Sequence, residues 1–341
     1  MRLTRRTLLS AIAMALPAAA LPLSAVPAFA ADAPVIHFLY SPYADYAPFF
    51  LAKEKGYFDQ FGVEVELAPK TGTAETVQLL ASGNAEAGGS SWGAGLFNSI
   101  VGGETITIVG TVARLPSGGA SPSPFLLSKK AQEAGIKTVA DLKGRRIGIP
   151  GPGGFGEYSV AKALEKGGLT LADVEPVYLP PPATAESFAN GGLEAGWSIE
   201  PFASQIVGQD LAVRLVEDHV DGTELGFLAF NSDFVRDHED AVVRFVAAYL
   251  KAARELDNGG WKDPAVRKIV ADYTGSPPEL FEQIALTVRS PDGSIDIASV
   301  REQEAFFRKQ GQIQYEGDID LDTIYRRDLL AKANELLANK P

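Results

Sequence analysis

The side chains with the clearest potential for chemistry are aromatic rings and hydroxyls in short loops that follow apolar segments of the chain. Aromatic faces bind flat ligands, while hydroxyls and the N–H groups at a helix N-terminus bind polar ligand atoms. In the first third of the chain the candidates are Tyr40, Ser41, Tyr43, Tyr46, Thr71, Ser90, Ser91 and Trp92. Nothing around them reads as an activated nucleophile or a metal cluster. We therefore predict a protein that holds a small ligand and does not convert it.

Several of these candidates have a plain structural alternative. Tyr43 and Tyr46 either face a cleft or pack on the surface. Thr71 contacts a ligand or belongs to a simple helix cap. Trp92, which lies among small residues, is a ring platform or a buried core indole. Three acids elsewhere in the candidate segments are interpreted as solvated surface groups, namely Asp45, Glu157 and Glu224.

A glycine-rich loop in the second third of the chain is the next candidate. Gly153, Gly154 and Phe155 precede a predicted helix and resemble an anion-binding loop at a helix N-terminus. A phosphate loop of the Walker type ends in GK[ST], and residues 156–158 read GEY instead. The loop is therefore predicted to contact a ligand without being a nucleotide site.

Three larger polar or aromatic residues complete the set of candidates. Trp197 and Glu200 follow a short apolar segment, and the carboxylate could accept hydrogen bonds from a ligand amine or lock a hinge. Arg114 matches a ligand carboxylate or sulfonate with its two-pronged guanidinium, or it binds hinge backbone instead. Both alternatives stay open for each charged residue.

Composition excludes several classes of function. The chain has no cysteine and three histidines, so disulfides, thiolate metal sites and cysteine nucleophiles are ruled out and a histidine metal site is improbable. No cofactor or metal is expected. Without residues 1–30, which contain three arginines and no acid, 28 basic residues face 43 acidic ones, a formal charge of −15. Nucleic acid and anionic membrane surfaces are therefore poor partners.

The first 30 residues have the pattern of a cleaved export signal. Arg2, Arg5 and Arg6 precede a short, proline-interrupted apolar run that closes with Ala28-Phe29-Ala30. We expect cleavage after Ala30 and a soluble protein in the periplasm. The adjacent arginines also resemble a twin-arginine motif, and the choice between the two export routes stays open.

The remaining length predicts two lobes, because about 310 residues exceed the size of a usual single core. Two segments repeat one strand–turn–helix design, first at 65–88 and again at 177–196. We assign residues 31–113 plus 228–341 to lobe 1 and residues 114–227 to lobe 2, with the ligand cleft between the lobes. Pro- and Gly-rich stretches near 113–124 and 221–230 are the predicted hinge segments. Helices are expected at 239–256, 264–273, 278–288, 297–310 and 321–337.

Four motifs, taken together with their order along the chain, resemble those of one known family. They are YADYAPFFLAKEKGYFDQFG (43–62), LLASGNAEA (79–87), LKGRRIG (142–148) and SIEPF (198–202). Together they are similar to the substrate-binding proteins of ABC importers in the sulfonate/nitrate/taurine and thiamine-pyrimidine-precursor (SsuA/THI5-like) family. The resemblance implies an α/β, two-lobed type II periplasmic binding protein fold with a two-segment hinge. It also implies docking onto an ABC permease driven by an ATPase subunit.

The ligand is predicted to be a small aromatic or heteroaromatic molecule, such as a pyrimidine, a flavin or an aromatic acid. The proposed cleft has more aromatic rings around it than a small anion could contact, because stacking on a ring requires a flat ligand. An aliphatic sulfonate, taurine or nitrate is the alternative, and a monomer is expected. An enzyme on the same fold, such as a pyrimidine-precursor synthase, is disfavoured. Resemblance to that type implies a cysteine-rich motif, and this chain has no cysteine. A sensor role is indistinguishable from import at this level.

Overall fold

The computed structural model describes residues 34–70, 72–103 and 106–340. The expected export signal and Thr71 lie outside the described residues, so neither prediction is tested by the fold. Across these three ranges, no helix combines the length and the apolar character needed to span a bilayer.

The strands of the described chain form two mixed sheets. In chain order they are β1 (Val35–Tyr40), β2 (Glu64–Pro69), β3 (Ala87–Ser91), β4 (Ile106–Arg114), β5 (Phe125–Ser128), β6 (Arg146–Ile149), β7 (Glu175–Tyr178), β8 (Ala195–Trp197), β9 (Ala212–Val216) and β10 (Glu224–Asn231). The first sheet has the order β2-β1-β3-β10-β4, and the second has the order β7-β6-β8-β5-β9. In each sheet three parallel strands are followed by one antiparallel strand and an edge strand paired antiparallel to it. The same strand arrangement therefore occurs twice, as the repeated sequence design predicts.

The α-helices lie between and after these strands. They are α1 (Ala47–Glu54), α2 (Tyr57–Phe61), α3 (Thr73–Ala81), α4 (Ala94–Val101), α5 (Lys129–Glu133), α6 (Phe155–Glu165), α7 (Thr184–Asn190), α8 (Phe202–Gly208), α9 (Ser232–Asp237), α10 (Glu239–Asp257), α11 (Pro264–Thr274), α12 (Ile297–Lys309) and α13 (Arg327–Asn339). Short 3-10 turns occupy Ala44–Tyr46, Val139–Leu142, Leu171–Asp173, Pro181–Ala183, Gly260–Lys262, Pro278–Glu282 and Leu321–Thr323.

Two chain segments carry the backbone from one sheet to the other. Residues 115–124 connect β4 to β5, and residues 217–223 connect β9 to β10. We call the elements around the first sheet the first lobe and those around the second sheet the second lobe. Helix α12 touches both lobes, because it packs against α4 and against α6. The two-lobed α/β class predicted from the sequence is therefore present.

Helix α10 covers one face of the first sheet and supplies much of its core. Its amphipathic pattern predicts a helix at 239–256, and this prediction is confirmed. Phe245 packs against Phe38, Phe49, Phe58 and Phe230, with ring centroids 4.9–6.2 Å apart. This aromatic cluster fixes β1 and α1 against the helix, and the loop between them enters the site described below.

The predicted helix at 278–288 is wrong beyond its first turn. A 3-10 turn covers Pro278–Glu282, after which the chain extends and Val288 bridges to Arg114. The backbone N–H of each of these two residues donates to the carbonyl oxygen of the other, at 2.8 and 2.9 Å. A backbone partner on β4 therefore outweighs the local helical pattern. The helix predicted at 321–337 is also split, into a 3-10 turn and α13.

Candidate ligand-binding site

A cavity of about 420 Å³ lies between the two sheets, at the carboxyl ends of their parallel strands. Loops after β1 and β2 and the last residues of β3 line it from the first lobe, and loops after β6, β7 and β8 line it from the second. Open α/β sheets bind ligands at this edge, where loops and helix N-termini converge. The sequence-predicted candidates that line the cavity are Ser41, Tyr43, Tyr46, Ser90, Ser91, Gly154, Phe155 and Trp197.

The lining is mostly aromatic and apolar. Tyr43, Tyr46, Phe155 and Trp197 contribute rings, and Pro150, Pro152, Pro180 and Pro181 contribute rigid apolar surface. Serine hydroxyls provide neutral polar groups. Among the lining residues that the structure describes, there is no Lys, Arg or His, and Asp45 is the charged group.

Asp45 is the residue that sequence reasoning missed. It was interpreted as a solvated acid, but its side chain is 6% exposed and its Oδ1 has no hydrogen-bond partner among the described residues. Burial raises the pKa of Asp45 to about 6, and the attraction of Arg289 opposes part of that increase. The alternation of tyrosines around Asp45 was the available signal, since it places the acid within an aromatic loop.

Arg289 holds the backbone of this loop and gives no hydrogen bond to Oδ1 of Asp45. Its Nη2 donates to the carbonyl oxygen of Asp45 at 2.8 Å, and its Nε donates to the carbonyl oxygen of Val112 at 2.8 Å. Its Nη1 lies 3.5 Å from Oδ1 of Asp257. The guanidinium therefore positions the 3-10 turn Ala44–Tyr46 and directs its hydrogen bonds away from the cavity.

The ring of Tyr46 is packed tightly in its place. A Cβ atom on Gly89 would lie 2.6 Å from the Tyr46 ring, so only glycine fits at that point of β3. The Tyr46 ring also lies 6.1 Å from Phe49 and 6.5 Å from Tyr40. Burial raises the pKa of Tyr46 well above its usual value, so the hydroxyl stays neutral.

The second-lobe wall is built by Trp197 and the start of α6. The indole N–H of Trp197 donates to the hydroxyl of Ser123 at 2.7 Å. A Cβ atom on Gly156 would meet Pro150 at 2.2 Å and the Trp197 ring at 3.4 Å. Close packing of these three residues therefore fixes the indole at the cavity edge.

The glycine loop does not leave its first N–H free for a ligand. The backbone N–H of Gly153 donates to the carboxylate of Glu157 at 2.7 Å, and that carboxylate also accepts from the side chain of Gln312 at 2.9 Å. Glu157 is buried and not a solvated acid. Its carboxylate therefore takes one of the donors that the sequence assigned to a ligand anion, and Gly153 itself is not part of the cavity lining.

Two predicted aromatic contacts belong to the core and not to the cavity lining. Trp92 is 1% exposed and packs against Phe97 and Phe227, with centroids 6.0 and 5.1 Å away. Tyr40 is buried and points toward Phe50 and Tyr273, with centroids 4.9 and 5.9 Å away. For Trp92 the structure supports the core alternative, because hydrophobic neighbours surround its ring.

The two predicted charged contacts also lie outside the lining. Nε of Arg114 donates to the carbonyl oxygen of Gly222 at 2.7 Å, and its Nη2 pairs with Asp296 at 2.9 Å. Glu200 is 1% exposed and pairs with Arg214. Each of these two charges is thus paired with a protein group, and neither residue contributes to the cavity lining.

Direct contacts between the lobes enclose the cavity. The backbone N–H of Ala94 donates to the carbonyl oxygen of Gly153 at 2.8 Å, and that of Ala44 donates to the carbonyl oxygen of Glu200 at 3.2 Å. The ring of Tyr43 meets Phe202 edge-on, with centroids 6.0 Å apart. These contacts hold the lobes in a closed arrangement.

Acidic and histidine side chains are not grouped for metal binding. Within residues 34–70, 72–103 and 106–340, no three of them are placed to hold an ion.

Two sheets of equal strand order, joined by two segments and with a cavity between them, define a two-lobed α/β binding-protein fold. The chain belongs to the NMT1/THI5-like family, whose model matches residues 43–258. The resemblance given by the four sequence motifs is therefore confirmed.

Relatives with assigned names match parts of the chain. A candidate binding protein of Brucella abortus is 29% identical over 187 residues, which is 55% of this chain and 50% of that protein. The nitrate/nitrite binding protein NrtA of Nostoc sp. is 26% identical over 288 residues, covering 78% of this chain and 62% of its own. The chain thus spans about half the length of the first of these relatives.

Solved structures with the same fold cover most of the chain. The periplasmic nitrate-binding protein NrtA from Synechocystis PCC 6803 has a TM-score of 0.74 at 16% identity, covering 91% of each chain. The alkanesulfonate-binding protein SsuA from Xanthomonas axonopodis pv. citri, bound to MOPS, has a TM-score of 0.66 at 21% identity, covering 89% of this chain and 99% of that one. The desulfurization enzyme DSZB has a TM-score of 0.60 at 20% identity, covering 88% of this chain and 99% of its own. One fold therefore hosts both binding proteins and an enzyme.

Proposed function

We propose that this chain is the extracytoplasmic substrate-binding subunit of an ABC importer and that it traps a small aromatic or heteroaromatic molecule between its lobes. The observation that carries the proposal is the cavity of about 420 Å³ between the lobes, with four aromatic residues in its lining. Its volume falls in the usual range for small-molecule sites, about 300–1,000 Å³.

The lining favours a flat ring over a small anion. Tyr43 and Tyr46 from the first lobe and Phe155 and Trp197 from the second offer ring contacts on opposite sides. Nitrate, with four heavy atoms, would leave most of this volume unfilled. A planar organic molecule would contact both lobes at once and so stabilise the closed arrangement.

An aliphatic sulfonate, taurine or nitrate is the second candidate ligand. The named relatives and the solved structures support it, because their names refer to nitrate and alkanesulfonate. Serine hydroxyls and the N-terminus of α6 could bind an oxyanion. The described lining offers no cationic side chain to such a ligand, which is why we place it second.

An enzymatic role is the candidate of a different class, and the fold of DSZB is the observation that favours it. The chain has no cysteine nucleophile. The carboxylate pair considered from the sequence, Asp45 and Glu200, is divided between the cavity and a buried ion pair with Arg214. Within the described residues these two acids are therefore not arranged for joint acid/base work.

The remaining parts of the proposal concern organisation and partners. The sequence-based bounds, residues 31–113 plus 228–341 for lobe 1 and 114–227 for lobe 2, stay a prediction. The connecting segments 115–124 and 217–223 would be the hinges. The protein would act as a monomer in the periplasm after cleavage at Ala30. A membrane permease with its ATPase subunit would be the partner that recognises the closed form.

A thermal-shift screen of refolded, ligand-free protein tests this function. The panel should contain pyrimidines, flavins, aromatic acids, aliphatic sulfonates, taurine and nitrate. A compound at 100 times its dissociation constant adds about 2.7 kcal/mol of stability. We expect stabilisation by flat-ring compounds. Stabilisation by sulfonates alone would select the second candidate, and turnover of a stabilising compound would support the enzyme.

A further inference from the structure

We infer that Asp45 determines the ligand class of this cavity: its carboxylate accepts a hydrogen bond from an N–H group, so the ligand is a ring compound that carries a cationic or N–H-bearing nitrogen. This inference rests on the proposed binding function and narrows it. The class includes ring amines, amidines and amino-substituted heterocycles. It excludes sulfonates and other oxyanions as the preferred ligand.

The first observation is the placement of the Asp45 side chain. The 3-10 turn Ala44–Tyr46 follows β1 and lies at the carboxyl edge of the first sheet. Tyr43, Asp45 and Tyr46 all line the cavity, so the carboxyl group lies beside two rings. Six per cent of Asp45 is exposed, and its buried Oδ1 has no hydrogen-bond partner within the described ranges of the chain. Buried polar atoms are almost always hydrogen-bonded, so an exception at a cavity wall points to a missing donor.

The second observation is the set of hydrogen bonds that Arg289 makes around Asp45. Arg289 is the cation whose attraction lowers the pKa of Asp45, but its donors go to the carbonyl oxygens of Asp45 and Val112 and toward Asp257. The guanidinium therefore attracts the carboxylate at a distance and gives Oδ1 no hydrogen bond. An unpaired buried carboxyl is costly, and a ligand donor would remove that cost.

The third observation is the charge of the wall around Asp45. The described lining has one acid and no basic side chain, and the glycine loop's first N–H is already bound to Glu157. An oxyanion in this cavity would lie near a like charge without a cation to offset it. A cationic ring would instead gain a charge-assisted hydrogen bond and the faces of Tyr43 and Tyr46.

The pH dependence of binding provides a signature of this arrangement. The groups that influence Asp45 are Arg289, Tyr43 and Tyr46, and burial raises the pKa values of both tyrosines so that they stay neutral near pH 7. Asp45 ionises near pH 6 in the ligand-free protein. Affinity for a ring with a fixed positive charge should therefore rise as the pH increases through about 6, and affinity for a sulfonate should fall.

Paired probes that share a ring and differ in charge test the inference. Titration calorimetry would compare benzamidine and 4-aminopyrimidine with benzenesulfonate on the refolded mature protein at pH 5 and pH 8. We expect the nitrogen compounds to bind more tightly at pH 8 than benzenesulfonate does. Asp45→Asn should weaken their binding by about 10- to 100-fold, because a hydrogen bond to a charged group is lost.

Asp59→Asn is the matched control, because it removes the same charge from an exposed position on α2 outside the cavity lining. The control should bind the nitrogen probes with wild-type affinity. Preference for benzenesulfonate, with tighter binding by Asp45→Asn, would overturn the inference and leave the binding function intact. Failure of both nitrogen probes to bind would also overturn it. Failure of every compound in the wider thermal-shift panel would instead count against the proposed function.

Discussion

The backbone N–H of Ala94 donates a hydrogen bond to the carbonyl oxygen of Gly153 at 2.8 Å. This bond joins the start of α4 in the first lobe to the loop after β6 in the second lobe. The adjacent residues Gly93 and Gly154 form an isolated antiparallel bridge. Strand-like pairing between the two lobes therefore closes the cavity at this rim, and it requires close approach of two backbones.

Gly93→Ala should weaken ligand binding by preventing this approach. A Cβ atom at Gly93 would lie 2.5 Å from the carbonyl oxygen of Gly153, so the two loops must separate. Overpacking of this kind costs about 1–3 kcal/mol, which corresponds to an affinity loss of roughly 5- to 150-fold. Calorimetry with the best ligand from the screen would measure it. Gly95→Ala is the control, because nothing lies within 4 Å of its added Cβ; equal affinities for the two variants would contradict the closure model.

Asp45→Asn should stabilise the ligand-free protein at high pH. The folded-state pKa of Asp45 is about 6, above its usual value of 3.8, so the folded state binds the proton more tightly than the unfolded state. The free energy of unfolding therefore falls as the pH rises from about 4 to 6 and stays reduced above that range. Replacing the acid should restore up to about 3 kcal/mol at pH 8 and should change little below pH 4.

Urea unfolding of the wild type and Asp45→Asn at pH 4 and pH 8 would measure this difference. A variant that is less stable than the wild type at pH 8 would show that the carboxylate has a partner within the protein. Asp45→Asn is thus expected to be more stable than the wild type and to bind the ligand less tightly. This combination is typical of a binding residue whose burial destabilises the folded protein.

Arg214→Met should destabilise the fold because it leaves the Glu200 carboxylate buried without its cation. Glu200 is 1% exposed and also accepts a hydrogen bond from the Ser204 hydroxyl at 2.8 Å. Removing one partner of a buried ion pair costs about 3–5 kcal/mol. Arg236→Met is the control, since the Arg236 side chain is 65% exposed and its ion pairs should contribute less than about 1 kcal/mol. Similar unfolding midpoints for the two variants would be inconsistent with a structural role for Glu200.

Trp92→Phe should reduce stability while leaving ligand affinity within about twofold of wild type. The indole packs against Phe97 and Phe227, and its Nε1 is buried without a described partner, so its contribution is to packing. Truncation to alanine should cost about 3–5 kcal/mol, and phenylalanine should cost less. Calorimetry of the phenylalanine variant decides the matter, because a large loss of affinity with normal stability would return Trp92 to the binding site.

Local sequence patterns predicted the features that depend on neighbours in the chain. The helix over 239–256 follows from its apolar periodicity. The repeated strand–turn–helix design predicted two similar sheets. The aromatic loop after β1 was placed at a strand end, which is why Tyr43 and Tyr46 were singled out.

Features that depend on distant partners could not be predicted in this way. Arg114 looks like an anion-binding residue until Asp296 and the carbonyl oxygen of Gly222 are placed beside it. Asp45 looks like a surface acid until Arg289 anchors its backbone and buries the turn. In both cases the residue type suggested a charge, and only the tertiary contacts showed whether that charge is satisfied.

The most direct test of the account is a crystal structure of the mature protein with the compound that stabilises it most in the thermal-shift screen. We predict a flat ring in the cavity between the lobes, in contact with Tyr46, Phe155 and Trp197, with a ligand N–H within hydrogen-bond distance of Oδ1 of Asp45. A compound bound outside this cavity, or an oxyanion held there against Asp45, would contradict the account.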